Sequence, residues 1–403
     1  MATLVDDGTF DWDTPVVEVL PEFEVADPEL TDAMTMRNLV CACSGVPRRD
    51  LELFFNADEL SAEDVVASLA TFEFFTDFGE AFQYSNQLVG TAGYAAAAAA
   101  GYEYGELFEG YRTLLHEQVL DPIGMDRTTL SPDEVVARDE HGVPHRLDLE
   151  TGEYVPVPLE LERLLLPIAP AGAHWSTASD MARYLITQIQ GGVAPDGTRV
   201  VSEEALRTTW EPQVPISATQ SYGLGWIVGE YEGVPVLSHG GNTLGFTSTF
   251  AFLPLQDLGI VVLTNAQASN TFNEYVFQRL LELVYEQPAR AQETLEFGVT
   301  QIENALAEVQ ETGPDSRLTP ITLDDSTDVI FGGRPVLDED ESLGYVVAGD
   351  YGYSVGESIA YAYLPSEYAD AGTPVQVLCE GTTYDATVRD EPLFDPDREK
   401  ILR

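Results

Sequence analysis

Between Tyr222 and Ala266 the chain reads YGLGWIVGEYEGVPVLSHGG and then FTSTFAFLPLQDLGIVVLTNA, with its apolar, β-branched and aromatic runs divided by glycines. Such runs make adjacent antiparallel strands, here with QDLG as a hairpin turn. Helical signals precede them. YSNQLVGTAGYAAAAAAGYEYGELFEGYRTLLHEQVL is a long helical region interrupted by glycines and ended at DPIGM, and its alanines form helix well and allow close packing. In SAEDVVASLA, Ser61 caps a helix whose first-turn acids complement the helix dipole. In STASDMARYLITQIQGG, Ser176 or Thr177 is the cap and Met181, Leu185 and Ile189 share one face. SEEALRTTW forms another helix, and NTFNEYVFQRLLELVYEQ packs back on the sheet.

Toward the N-terminus, Pro15, Pro21 and Pro28 predict an extended, turn-rich surface, and Thr35 caps a short helix, MTMRNLV. MATLV reads as the last turn of an apolar helix stopped by Asp6, Asp7 and Gly8, and one turn alone does not repay helix nucleation. From 291 to 316 the chain is polar and weakly helical, a linker or inserted helix. Beyond it LTPITL, SLGYVVAGD, SIAYAYLP, PVQVLCE and TTYDATVRD are short strands divided by turns such as FGGRP and YADAGTP, the texture of a small barrel. The expected fold is α+β over residues 1–290, a connecting segment over 291–316, and an all-β barrel over 317–403. A chain of 403 residues is long enough for two cores.

Charge narrows the partners. There are 69 acidic and 19 basic residues, a net charge of −50, and the acids are spread along the whole length. Self-repulsion on that scale calls for screening, which points to a salt-rich interior. It also speaks against nucleic acid and against an anionic membrane. No run of 18 apolar residues and no basic-then-apolar leader is present, so the expected location is cytoplasmic. Cys41 and Cys43 in CACSG are not spaced as a CxxC redox pair, and with Cys379 they read as structural or incidental thiols; no metal site and no cofactor is expected.

Three islands can carry chemistry. Tyr84-Ser85-Asn86, at the mouth of a helix, offers a phenol as proton shuttle and an amide as substrate hydrogen-bond donor, although tyrosines in such segments also serve as core packing. His239-Gly240-Gly241 ends a predicted edge strand, where glycines let a ligand lie against the backbone and the imidazole can orient a carboxylate or the phenol. The stretch PAGAHWSTASD, with Gly172, is a pocket wall or simply a turn and helix cap.

Taken in order, YSN, PAGAHWSTASD, YGLGW, HGGNTLGF and FLPLQDLGIVVLTN resemble the serine β-lactamase and penicillin-binding family of the class C type, over residues 1 to about 290. The resemblance implies hydrolysis of a small-molecule amide or ester through an acyl-enzyme, without a cofactor. It assigns proton transfer to Tyr84, the substrate amide contact to Asn86, and the third motif to His239, Gly240 and Gly241. NLVCACSGVPR departs from the family pattern in having Ala42 where histidine is customary. The family's Ser-x-x-Lys pair is missing: the only lysine is Lys400, with Asp397 three positions before it. Ser85 is no replacement, having no base at helical spacing. The resemblance places Met1 inside the nucleophile helix, so the pair is expected upstream and this polypeptide alone is expected to be inactive.

From about 302 to 403, and most plainly from LTPITL through FDP, the chain resembles the C-terminal barrel of the glycine-cleavage T-protein and dimethylglycine dehydrogenase family. The match rests on Gly344-Tyr345-Val346, Gly352, Ser354, Gly356, Ile359-Ala360 and Tyr363-Leu364-Pro365. The folate- and FAD-binding parts of those enzymes are absent from this sequence. The competing readings are a non-catalytic binding or structural protein and an accessory of a one-carbon amine enzyme. No residue pattern specifies an oligomeric state.

Overall fold

In a computed structural model the chain forms two compact units, which among the described residues comprise 1–50 with 60–302, and 303–389. The structure describes residues 1–50, 60–138, 140–149, 151–324, 328–330, 334–339, 341–352, 356–379 and 381–389. Ser354, Asp397, Lys400 and most of FGGRP lie outside them.

The first unit opens with the helix Ala2–Asp6. It ends as the sequence predicts: the Gly8 N–H donates to the Val5 carbonyl (3.2 Å) and the Thr9 N–H to the Leu4 carbonyl (2.8 Å), with Gly8 at φ +81°. Packing holds this single turn, because Leu4 is buried among Phe10, Val16, Leu20 and Phe23. The helix expected from Thr35 does not form. The Thr35 N–H and hydroxyl are both engaged by Asn38 Oδ1 (2.9 and 2.8 Å), and the segment runs as turns up to Ala42, whose φ is +51°. Cys41 and Cys43 are joined by a disulfide, which corrects the expectation of unpaired thiols there.

The predicted long helical region is four pieces: Asn86–Ala99, Leu107–Leu115, a wider turn over His116–Leu120, and Asp121–Ile123 ended by left-handed Gly124. The first is buried along most of its length, Ala95, Ala96 and Ala97 included. Helix Ala62–Ser68 carries a reciprocal capping box between Ser61 and Asp64.

A ribbon of β1 (His145–Leu147) and β2 (Tyr154–Pro156) precedes the main sheet. That sheet runs β3 (Val214–Pro215), β4 (Ser221–Tyr222), β5 (Ile227–Tyr231), β6 (Val234–Asn242), β7 (Thr247–Leu253) and β8 (Leu258–Thr264), each antiparallel to the next. Glu232 and Gly233, both at positive φ, make the two-residue turn between β5 and β6. The β7–β8 turn is PLQD rather than QDLG: Leu253 pairs with Leu258, and Asp257 takes the left-handed position.

Side chains alternate between the sheet's faces. Leu237 and Phe252 pack with Leu185 of helix Ala178–Ile189, whereas Val236, Ala251 and Leu253 pack with Leu281 of helix Asn270–Val284. The expected linker is a continuous helix, Ala291–Thr312.

The second unit holds a closed barrel of β9 (Ser316–Leu323), β10 (Pro335–Asp338), β11 (Glu341–Gly352), β12 (Glu357–Pro365), β13 (Pro374–Cys379) and β14 (Thr382–Val388). The strands follow one another around it as β10-β11-β12-β9-β14-β13. Ala360, Ala362 and Leu364 point inward with Ile321, Val336, Val346, Val377 and Val388. At Gly344 a Cβ would meet the Tyr363 carbonyl oxygen at 2.1 Å, which explains a glycine there. The strand missed by sequence is β10. PVLD is too short to show a pattern, yet its pairing with β11 and β13 closes the barrel.

Candidate active site

Tyr84 reaches the sheet from the segment before helix Asn86–Ala99. That segment is tied down by the Gln83 N–H donating to the Ala42 carbonyl (2.8 Å). The Tyr84 ring lies 6.1 Å from the His239 ring and 6.0 Å, edge on, from Tyr222, centroid to centroid. Tyr84 and His239, 155 positions apart in sequence, thus share one site. Tyr222 completes it, and sequence reasoning missed its role although the YGLGW motif contains it.

His239 is held on both nitrogens. Nδ1 lies 2.8 Å from the Gly240 carbonyl and Nε2 3.0 Å from the Tyr222 hydroxyl. A carbonyl only accepts, so Nδ1 carries the proton and Nε2 accepts from Tyr222. Burial lowers the His239 pKa, only partly offset by the bond to Gly240, and keeps the ring neutral. The imidazole therefore orients the Tyr222 phenol rather than that of Tyr84.

Burial also raises the Tyr84 pKa; nearby Arg48 opposes the shift and Asp50 adds to it. At neutral pH Tyr84 is a protonated phenol. To act as a base it needs a further positive charge close by.

Asn86 is turned toward Asp50, its Nδ2 lying 3.0 Å from both carboxylate oxygens, and Asp50 is also paired with Arg48. The amide thus already holds an acceptor. Ser85 is buried and donates its hydroxyl to the Pro47 carbonyl (3.1 Å), a structural role.

Gly240 and Gly241 lie on β6, but β6 is not an edge strand as expected. β5 covers it from Val234 to Ser238, and only His239–Asn242 are unpaired on that side, with β7 on the other. The cover stops because GLGW turns away: Gly225 has φ +90°, and a Cβ on Gly223 would meet the Thr209 carbonyl oxygen at 2.7 Å. Beyond Asn242, buried Glu162 fixes the β6–β7 turn by accepting from Thr243 Oγ1 (3.0 Å) and the Gly245 N–H (2.8 Å).

PAGAHWSTASD forms the short helix Ala169–Gly172 and the Thr177 cap of the next helix, with exposed Gly172 open to solvent. Within it, His174 is bonded to the Tyr111 hydroxyl (2.9 Å). A cavity of about 440 Å³ lies apart from Tyr84 and His239, lined by Arg146, Leu147, Val157, Leu161, Leu244 and Gln267 among others. Among the described residues no group of three or more His, Cys, Asp or Glu is placed to hold a metal ion, and no helix is long and apolar enough to cross a membrane.

This fold and motif order define an α+β domain of the β-lactamase and penicillin-binding-protein type, followed in sequence by a small barrel. The chain belongs to the beta-lactamase family, whose model matches residues 1–285, and the glycine cleavage T-protein C-terminal barrel domain matches residues 317–395. It is 26% identical over 289 residues to penicillin-binding protein 4 of Amycolatopsis lactamdurans, spanning 69% of this chain and 71% of that one. It is 26% identical over 284 residues to an unguisins hydrolase of Aspergillus campestris, covering 68% of this chain but only 51% of the relative. Among solved structures, the octameric penicillin-binding protein homologue from Pyrococcus abyssi superposes with a TM-score of 0.60 at 18% identity, covering 96% of this chain and 81% of that one.

Proposed function

We propose that residues 1–290 form a β-lactamase-related cleft that binds small molecules bearing an amide or ester carbonyl, and that this 403-residue polypeptide by itself does not turn them over. The observation that carries the reading is the meeting of Tyr84 with His239 beside the unpaired stretch His239–Asn242. In this reading Tyr84 holds the proton that would pass between nucleophile and leaving group. The open backbone of Gly240 and Gly241 takes the substrate as an added strand, and Asn86 contacts the substrate amide once Asp50 gives way.

Acyl transfer needs an activated nucleophile, and the sequence contains no Ser-x-x-Lys. A neutral Tyr84 is a poor base, and Ser85 is committed to Pro47. The acidic composition suits a salt-rich cytoplasm.

The test is a chromogenic β-lactam and a nitrophenyl ester, each assayed with the full chain in molar salt. The expected outcome is no turnover, with saturable binding of the β-lactam that weakens in Tyr84→Phe. Turnover that disappears in Tyr84→Phe overturns the inactivity. Absence of binding leaves a structural protein as the better account.

A further inference from the structure

The bridge between Cys41 and Cys43 spans a single intervening residue, Ala42, in the loop that backs the Tyr84 site. We propose that this bridge is a thiol–disulfide exchange site, opened by an external low-molecular-weight thiol that attacks Cys43. The inference is independent of whether the cleft binds or hydrolyses a carbonyl compound.

Four observations carry it. A bridge closing so short a loop gains little from restricting the unfolded chain, so its loss costs the fold less than that of a long-range crosslink. The bridged conformation places Ala42 at φ +51°, a left-handed geometry that alanine disfavours and that opening the ring would let it leave. The two sulfurs sit in unlike surroundings. Cys43 is partly buried, whereas Cys41 is fully buried against Trp12 and Leu224. Finally, the Cys43 N–H lies 3.2 Å from Cys41 Sγ, a donor aimed at the sulfur that would carry the leaving electron pair.

The step balances as follows. A thiolate bonds to Cys43 Sγ, the Cys41–Cys43 bond breaks, and its electron pair leaves on Cys41 Sγ, which takes up a proton. A second thiolate attacks the external sulfur of the mixed disulfide and releases Cys43 as a thiolate, which is then protonated. Two thiols are thereby oxidised to one disulfide while the protein bridge is reduced to two thiols.

Location gives the exchange a consequence. The Ala42, Cys43 and Gly45 carbonyls accept from the N–H groups of Gln83 (2.8 Å), Gly79 (2.9 Å) and Phe75 (2.8 Å), so the reactive loop holds the segment that delivers Tyr84. Ala42 also packs in one cluster with Tyr222, Phe82 and Tyr84.

The experiment uses the full folded chain carrying Cys379→Ser to remove the third thiol. It is incubated without denaturant in reduced glutathione or in buffer, freed of glutathione by desalting, then unfolded and alkylated with iodoacetamide, and mapped by mass spectrometry. The expected result is no label on Cys41 or Cys43 in buffer and label on both after glutathione. A Cys41→Ser variant incubated with oxidised glutathione should form the adduct on Cys43, faster than Cys43→Ser forms it on Cys41. The proposal is overturned if the bridge is reduced only in denaturant, if both cysteines are already labelled in the air-oxidised chain, or if Cys41 takes the adduct as fast as Cys43. Should either single variant fail to fold, labelling of the bridged chain alone decides.

Discussion

At Glu162 a carboxylate is buried where water cannot compensate it, and it is kept there by hydrogen bonds from the β6–β7 turn. Burial raises its pKa despite those bonds. A folded-state pKa above the unfolded one gives stability that is present below the ordinary value of 4.5 and lost as pH rises through the raised value. Glu162→Gln keeps Oε1 as acceptor for Thr243 and Gly245 without the charge, so its stability relative to the parent should increase as pH rises from 4 to 7, measured by urea unfolding. Glu162→Ala leaves the turn donors unpaired and should cost about 1–3 kcal/mol. His174 carries the opposite sign. Burial lowers its pKa to about 4, so its contribution is present above 6.5 and lost as pH falls from 6.5 toward 4. Replacing it with Phe should flatten that part of the acid limb, read from unfolding midpoints across the range. Neither role is visible in sequence, where Glu162 is one acid among 69 and His174 stands in what reads as a helix cap.

Among the elements, those with strong local chemistry were legible: the Ser61 cap, a cap at Ser176 or Thr177 that falls on Thr177, the Gly8 stop and the glycine-divided strands all form where the residues predict. The failures are also physical. The segment after Thr35 runs as turns up to the positive φ of Ala42 instead of as a helix, and β10 escaped notice because four residues show no period. The Cys41–Cys43 loop is the element whose state reaches the candidate site. Reduction of the bridge should accelerate amide exchange at Gly79 and Gln83, whose N–H groups donate to the Cys43 and Ala42 carbonyls, while amides of the Ala178–Ile189 helix stay unchanged. Equal rates in both redox states would show that the loop holds its conformation without the bridge.

For the whole molecule the dominant quantity is the net charge of −50. Its repulsion acts over about 30 Å at 0.01 M salt but only about 3 Å at 1 M. The unfolding temperature should therefore rise steadily as potassium chloride is raised into the molar range, measured by calorimetry; a flat profile would remove the salt-rich reading. Sequence by itself determined the sum of charges, the order of motifs, the α+β domain and the strand-rich barrel, because these follow from composition, local periodicity and turn chemistry. It also determined that no Ser-x-x-Lys is present in these 403 residues. Only the tertiary structure decided which groups meet: that His239 serves Tyr222, that Asn86 is held by Asp50, that β5 covers half of β6, and that a lone N-terminal turn is kept by burying Leu4. Those pairings join residues far apart in the chain, and their energies come from desolvation and hydrogen bonds that exist only after the elements have packed.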